Sequence, residues 1–143
     1  MYGSLDISTS GMMAQKTRLD VASANLANSD AILDSSGRVN PYRTRRAMIA
    51  TGNPEAKALG AQEFGVHVAR IQADTAPPEL GEYDPNSPLA YTEGPYKGYV
   101  AKPGVDVIAE SVNAMEAVRA YEANVMAAEA TKQLFNASLR LIA

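Results

Sequence analysis

The chain has no cysteine and no tryptophan, two phenylalanines and a single histidine in 143 residues. Without thiols there is neither a disulfide framework nor a cysteine-based metal site, and the redox compartment stays open. The lone histidine, His67, has no Cys, Ser or Asp at a spacing that would build a nucleophilic triad or a metal centre. A phosphate-cradling glycine loop is missing too: Gly94, Gly98 and Gly104 are scattered among prolines. No catalytic residue, cofactor or metal is therefore expected. No apolar run approaches the eighteen or so residues of a membrane span. The N-terminus lacks the basic-then-apolar order of a signal peptide, so any export would use another route. The net charge of −3 gives no general attraction to nucleic acid or to an anionic membrane. Hydrophobic residues make up 46% of the chain, but much of that is alanine, which suits close helix approach better than a thick core.

Proline and glycine are also absent from Val105 to Ala143, and this uninterrupted stretch organises the chain. From Ile142 backwards in steps of three and four stand Leu139, Phe135, Lys132, Ala128, Val125, Tyr121, Val118, Ala114, Ser111 and Val107. Only Lys132 and Ser111 break the apolar row. Such spacing is the seam of a helix that packs lengthwise on other helices. From Asp106 to Ile142 the helix would be about 55 Å long, too long for one small core. It needs partners, and the first is expected at the other end of the chain.

Ser4 to about Asn28 reads as a second helix. Leu5, Met12, Leu19 and Leu26 recur every seven residues, and Ile7, Ala14 and Val21 repeat two positions on. Two residue steps of 100° put these stripes on nearly opposite sides, which predicts neighbours on both. Gly11 inside this helix costs about 1 kcal/mol relative to alanine. Asn25 and Asn28 stand where the helix should end. Asn28 suits a left-handed cap, and either amide can bond backbone across a helix contact.

Between Ser29 and Gly104 lie all eight prolines and turn clusters such as Asp34-Ser35-Ser36-Gly37 and Asp84-Pro85-Asn86-Ser87-Pro88. Tyr42–Ile49 and Phe64–Ile71 are the best strand candidates, with Tyr96–Val100 a weaker third. The fold class that follows is mainly α with a small β-rich insertion: residues 1–30 and 105–143 are long helices pairing as a coiled coil, and 31–104 form a short β and loop module.

The carboxylates Glu116, Glu122 and Glu129 do not converge like an acid/base pair. Glu116 with Arg119, and Glu129 with Lys132, stand at i,i+3 and read as solvated or intersubunit ion pairs worth a few tenths of a kcal/mol. Arg38, Arg43, Arg45 and Arg46 around Tyr42 form the best argument for phosphate binding. In a strand, Arg43 and Arg45 would face away from Tyr42, Thr44 and Arg46, which dilutes the patch. The alternative function on these residues is a helical-hairpin adaptor holding nucleic acid or an acidic partner.

Two terminal segments carry a resemblance. Leu5-Asp6-Ile7-Ser8 through Ala14-Gln15, Arg18-Leu19-Asp20-Val21 and Asn25-Leu26-Ala27-Asn28 resemble the N-terminal signature of the bacterial flagellar axial proteins of the rod and hook. Tyr99-Val100-Ala101-Lys102-Pro103-Gly104-Val105-Asp106-Val107 and Arg119-Ala120-Tyr121-Glu122-Ala123-Asn124 resemble their C-terminal signature. The short middle, with Pro77-Pro78, Tyr83-Asp84-Pro85 and Pro88, is most similar to the proximal rod members. The likeness covers about residues 4–30 and 77–142 and departs at Asp30, Gly104 and the length of Leu89–Lys97.

The resemblance implies a structural subunit, not an enzyme, that polymerises helically around the export channel and transmits torque from motor to hook. It implies partners among other rod proteins, further copies of itself, the junction of basal-body ring and export gate, and the flagellar export apparatus, with no nucleic acid and no membrane span. The location would be the basal-body rod in the periplasmic space, reached without a cleaved signal peptide. The interface residues expected on this reading are Leu5, Ile7, Met12, Leu19, Val21, Asn25, Leu26 and Asn28 on the first helix. On the last they are Val118, Tyr121, Asn124, Val125, Ala128, Phe135, Leu139 and Ile142.

Overall fold

In the computed structural model, which describes residues 2–52, 54 and 64–142, two terminal helices lie antiparallel with two β-hairpins between them in sequence. The first helix, α1, spans Tyr2–Ala27 and the last, α2, spans Val107–Ile142. The strands are β1 (Arg45–Thr51), β2 (Val66–Ala73), β3 (Glu79–Tyr83) and β4 (Tyr99–Lys102). The class is mainly α with a β insertion, and the helices pair as the sequence indicates.

The register of the helix pair follows from three contacts. Asn25 bonds Glu110, Arg18 pairs with Glu116, and a Cβ added at Gly11 would lie 2.6 Å from Oδ1 of Asn124. Carried to Tyr2, this register ends near Gln133. The last nine or so residues of α2, about 13 Å, therefore run beyond α1. At its start α2 is capped by Asp106, whose Oδ1 accepts the backbone N–H groups of Ile108 and Ala109 at 3.0 and 3.1 Å.

The helix contact is built from small residues. Ala117 is 0% exposed and Ala22 2%, and Gly11 is buried against Asn124. This explains Gly11, whose propensity cost is the condition for close approach. The α2 face against α1 carries Glu110, Ala117 and Asn124, whereas Val118 and Tyr121 are exposed. Val118 lies one residue step, about 100°, round the helix from Ala117, so the apolar row runs along the flank of this contact, with Ala114, Val125 and Ala128 half-buried.

The other neighbour of α1 is the β1–β2 hairpin. Its N-terminal end meets Asn25, and its far end meets Ser10, whose Oγ accepts the Val66 N–H at 3.1 Å and donates to the Ile7 carbonyl at 2.7 Å. Fifteen helical residues span about 22 Å and six strand steps about 20 Å, so the hairpin fits along α1. The double stripe of α1 thus has neighbours within its own chain. The turn at Gly65 needs glycine twice over: its φ is +90°, and a Cβ there would lie 2.5 Å from Ser10 Oγ. Gly65→Ala is expected to destabilise the chain by about 1–3 kcal/mol. A thermal unfolding midpoint equal to that of the native chain would refute this.

The strands depart from expectation at their edges. β1 begins at Arg45, so Tyr42, Arg43 and Thr44 precede it and the expected face alternation does not apply. A bulge between Met48 and Ile49 leaves Ala69 without an opposite residue on β1. The third candidate, Tyr96–Val100, is observed as β4, shifted to Tyr99–Lys102. Its partner β3 was not expected. The two pair with Leu80 opposite Ala101 and Tyr83 opposite Tyr99, the rings meeting edge-on at 5.2 Å. Thr44 links the hairpins: its Oγ1 donates to the Gly104 carbonyl at 2.6 Å, and its own carbonyl accepts the Asp74 N–H.

Candidate subunit interface

The residues expected at interfaces divide into those the chain uses itself and those it leaves open. Asn25 belongs to the first group and is 0% exposed. Its Nδ2 donates to the Arg45 carbonyl at 2.8 Å and to Glu110 Oε2 at 3.0 Å. Its Oδ1 accepts the Tyr42 hydroxyl and the Arg45 N–H, each at 3.0 Å. One side chain thereby fastens α1, α2 and β1 together with all four of its bonding positions filled. Asn28 is not a left-handed cap, since no non-glycine among the described residues has positive φ. Its Nδ2 closes the helix by donating to the Ala24 carbonyl at 2.7 Å. Val21 is buried, and Leu5, Met12, Leu19, Leu26, Asn124, Val125 and Ala128 are half-buried.

The second group is apolar and faces outward. Ile7, Val118, Tyr121, Phe135 and Leu139 are exposed, and the side chain of Ile142 lies outside the described residues. Beyond the end of α1, Leu134 is 72% exposed and Leu141 88%. Apolar side chains gathered on one overhanging helix end mark a place for another surface.

The charged residues are arranged otherwise than expected. Glu116 pairs with Arg18 of α1 at 2.9 Å rather than with Arg119, and Glu129 with Lys132 forms no ion pair. The arginines do not converge on one patch. Arg38 is held by Asp34, whose Oδ1 also accepts the N–H groups of Ser36 and Arg38; these bonds, the Arg38 N–H first, hold its carboxyl below the usual carboxylate range. Arg43 donates to the Asp74 carbonyl, and Arg45 lies over the Tyr42 ring at 5.7 Å. His67 is half-buried with Nδ1 2.9 Å from the Gly52 carbonyl oxygen. Among the described residues no group of three or more His, Cys, Asp or Glu side chains could hold a metal, and no helix is long and apolar enough to cross a membrane.

Glu110, Arg18, Gly11 and Ala117 complete the helix contact, and reading the apolar spacing alone misses them. The signal that could have found Gly11 and Ala117 is the row of small residues at helical spacing.

A paired-helix subunit with an unpartnered apolar end is the class that this geometry defines. Comparisons with known proteins narrow it. Residues 5–31 match the family described as flagella basal body rod protein, and residues 96–141 match the C-terminal family of flagellar basal body rod FlgEFG proteins. The chain is 40% identical to the flagellar basal-body rod protein FlgC of Escherichia coli O6:H1, over 95% of this chain and 93% of that one. Against the proteins of the same name from Bacillus subtilis and Borreliella burgdorferi, identity is 35% and 34%, over 98% and 99% of this chain and 97% of each relative. The chain belongs to the FlgC family of flagellar basal-body rod proteins.

Proposed function

We propose that the chain is a structural subunit of the proximal rod, packing helically with further copies of itself and with other rod proteins around the export channel and carrying torque from motor to hook. The observation that carries this reading is the set of exposed apolar residues on α2, Val118, Tyr121, Phe135 and Leu139, on a helix that continues past the end of α1. Different contact patches on one subunit generate open helical assemblies, not closed dimers. The family and the two terminal signatures support a place in the basal body, within the periplasmic space, reached through the flagellum's own export apparatus and joined to the ring and export gate. On this reading the chain performs no catalysis.

The adaptor reading is disfavoured because Arg38 is paired with Asp34, Arg43 donates to the Asp74 carbonyl and Arg45 lies over the Tyr42 ring, so the four cations do not present one common surface. The test is a strain lacking the gene, scored by swimming in soft agar and by electron microscopy of isolated basal bodies. Loss of the rod and of swimming is expected, both restored by the full chain. Complete rods in the deletion strain would overturn the proposal.

A further inference from the structure

Three arginines, Arg18, Arg45 and Arg46, line a cleft of about 410 Å³ between α1, β1 and the first turns of α2, with Val21, Ala22 and Ile49 also in its wall. Arg18 has a carboxylate partner, Glu116. Among the described residues Arg45 and Arg46 form no ion pair, and the one carboxylate in the lining, Glu110, is engaged by Asn25. Cationic groups collected over an apolar wall call for an anion carried on an apolar surface.

The same chain presents such a surface elsewhere. Glu122 and Glu129 are exposed, share one face of α2 at a spacing of seven residues, and make no ion pair among the described residues. Val118, exposed, and Val125, half-buried, stand four residues before them, so each carboxylate is bordered by an apolar side chain. Met126, 64% exposed, lies between the two carboxylates. Arg119 stands at the other flank of this face, so the carboxylates lead on the side of the valines. Glu122 is twelve residues beyond Glu110, about 18 Å along the helix, and its row points away from α1. The face cannot fold back into its own cleft.

We propose that the arginine cleft receives the Glu122 and Glu129 face of α2 from a second copy of the chain. The inference rests on the rod-subunit reading and names one contact within it. Cleft and acidic face are different patches, so the contact is head-to-tail and propagates from copy to copy. A phosphate chain is the poorer occupant, because the chain is acidic overall and Glu110 lines the cleft.

The cysteine-free sequence makes the test clean. A chain carrying both Arg46→Cys and Glu122→Cys is produced in cells lacking the native copy, and basal bodies are treated with a short bis-maleimide. A ladder of dimer, trimer and higher species is expected from the double variant, and monomer or dimer alone from either single one. A double variant that stays monomeric in basal bodies with normal rods overturns this contact and leaves the rod reading standing, as does capture of a different rod protein. Basal bodies without this chain would fail the rod reading itself. Tight, salt-sensitive binding of the purified native chain to DNA or RNA would overturn the proposal in favour of a nucleic acid in the cleft.

Discussion

Replacing Asn25 with alanine is expected to lower the stability of the isolated chain by about 3–5 kcal/mol, a large part of the whole for a domain of this size. The amide fills four bonding positions, and truncation strips partners from four groups at once: the Arg45 N–H and carbonyl, the Tyr42 hydroxyl and the Glu110 carboxylate. A buried polar group left without a partner costs about 1–3 kcal/mol, and more where it is charged. Water entering the small void would satisfy some of these groups, which keeps the estimate below their sum. Asn25→Asp would be no remedy, because it exchanges the donor facing Glu110 for a second carboxylate. The measurement is reversible thermal or urea unfolding followed by circular dichroism. A loss under about 1 kcal/mol for Asn25→Ala would mean that the three elements are held together by something else.

The sequence made the helices legible and left their facing ambiguous, for one physical reason. The 3–4 spacing of Val118, Tyr121, Val125, Phe135 and Leu139, with no Pro or Gly to interrupt it, announces a long helix with an apolar row. That row runs along the flank of the intrachain contact. Glycine and alanine build its centre at Gly11 and Ala117, and such residues carry little hydrophobic signal even where burial is complete. The large apolar residues Val118, Tyr121, Phe135 and Leu139 stay exposed beside it. Asn25 reads from sequence as a polar helix end because its importance lies in Arg45, Tyr42 and Glu110, which only the fold brings to it. The strand β3 was hidden because Glu79-Leu80-Gly81-Glu82-Tyr83 has neither β-branched residues nor a clean alternation. It is a strand because β4 lies beside it. Pairing of Arg18 with Glu116 was equally out of reach, since local spacing favours Arg119 and only the antiparallel register brings Arg18 across.

The overhang of α2 separates folding from assembly. Phe135 and Leu139 are exposed, and the helix register places them beyond the end of α1. Changing both to aspartate should leave the stability of the isolated chain within about 0.5 kcal/mol, as for surface substitutions that break no buried contact. On the proposed rod packing the same change would meet a packed apolar surface. Each aromatic or aliphatic side chain gives up about 1.5–3 kcal/mol of burial, and each carboxylate adds several kcal/mol if it is buried unpaired. The summed penalty is comparable with the free energy of a micromolar contact, about 8 kcal/mol, so the double variant should fail to build a rod. Swimming in soft agar should fall to the level of a strain lacking the gene, while the purified variant unfolds at the native temperature. Asn25→Ala is the converse case, damaged already as a free chain. Normal swimming and complete rods with aspartate at both positions would show that this end of the helix faces solvent in the assembly. The uncovered apolar row would then no longer support a polymer.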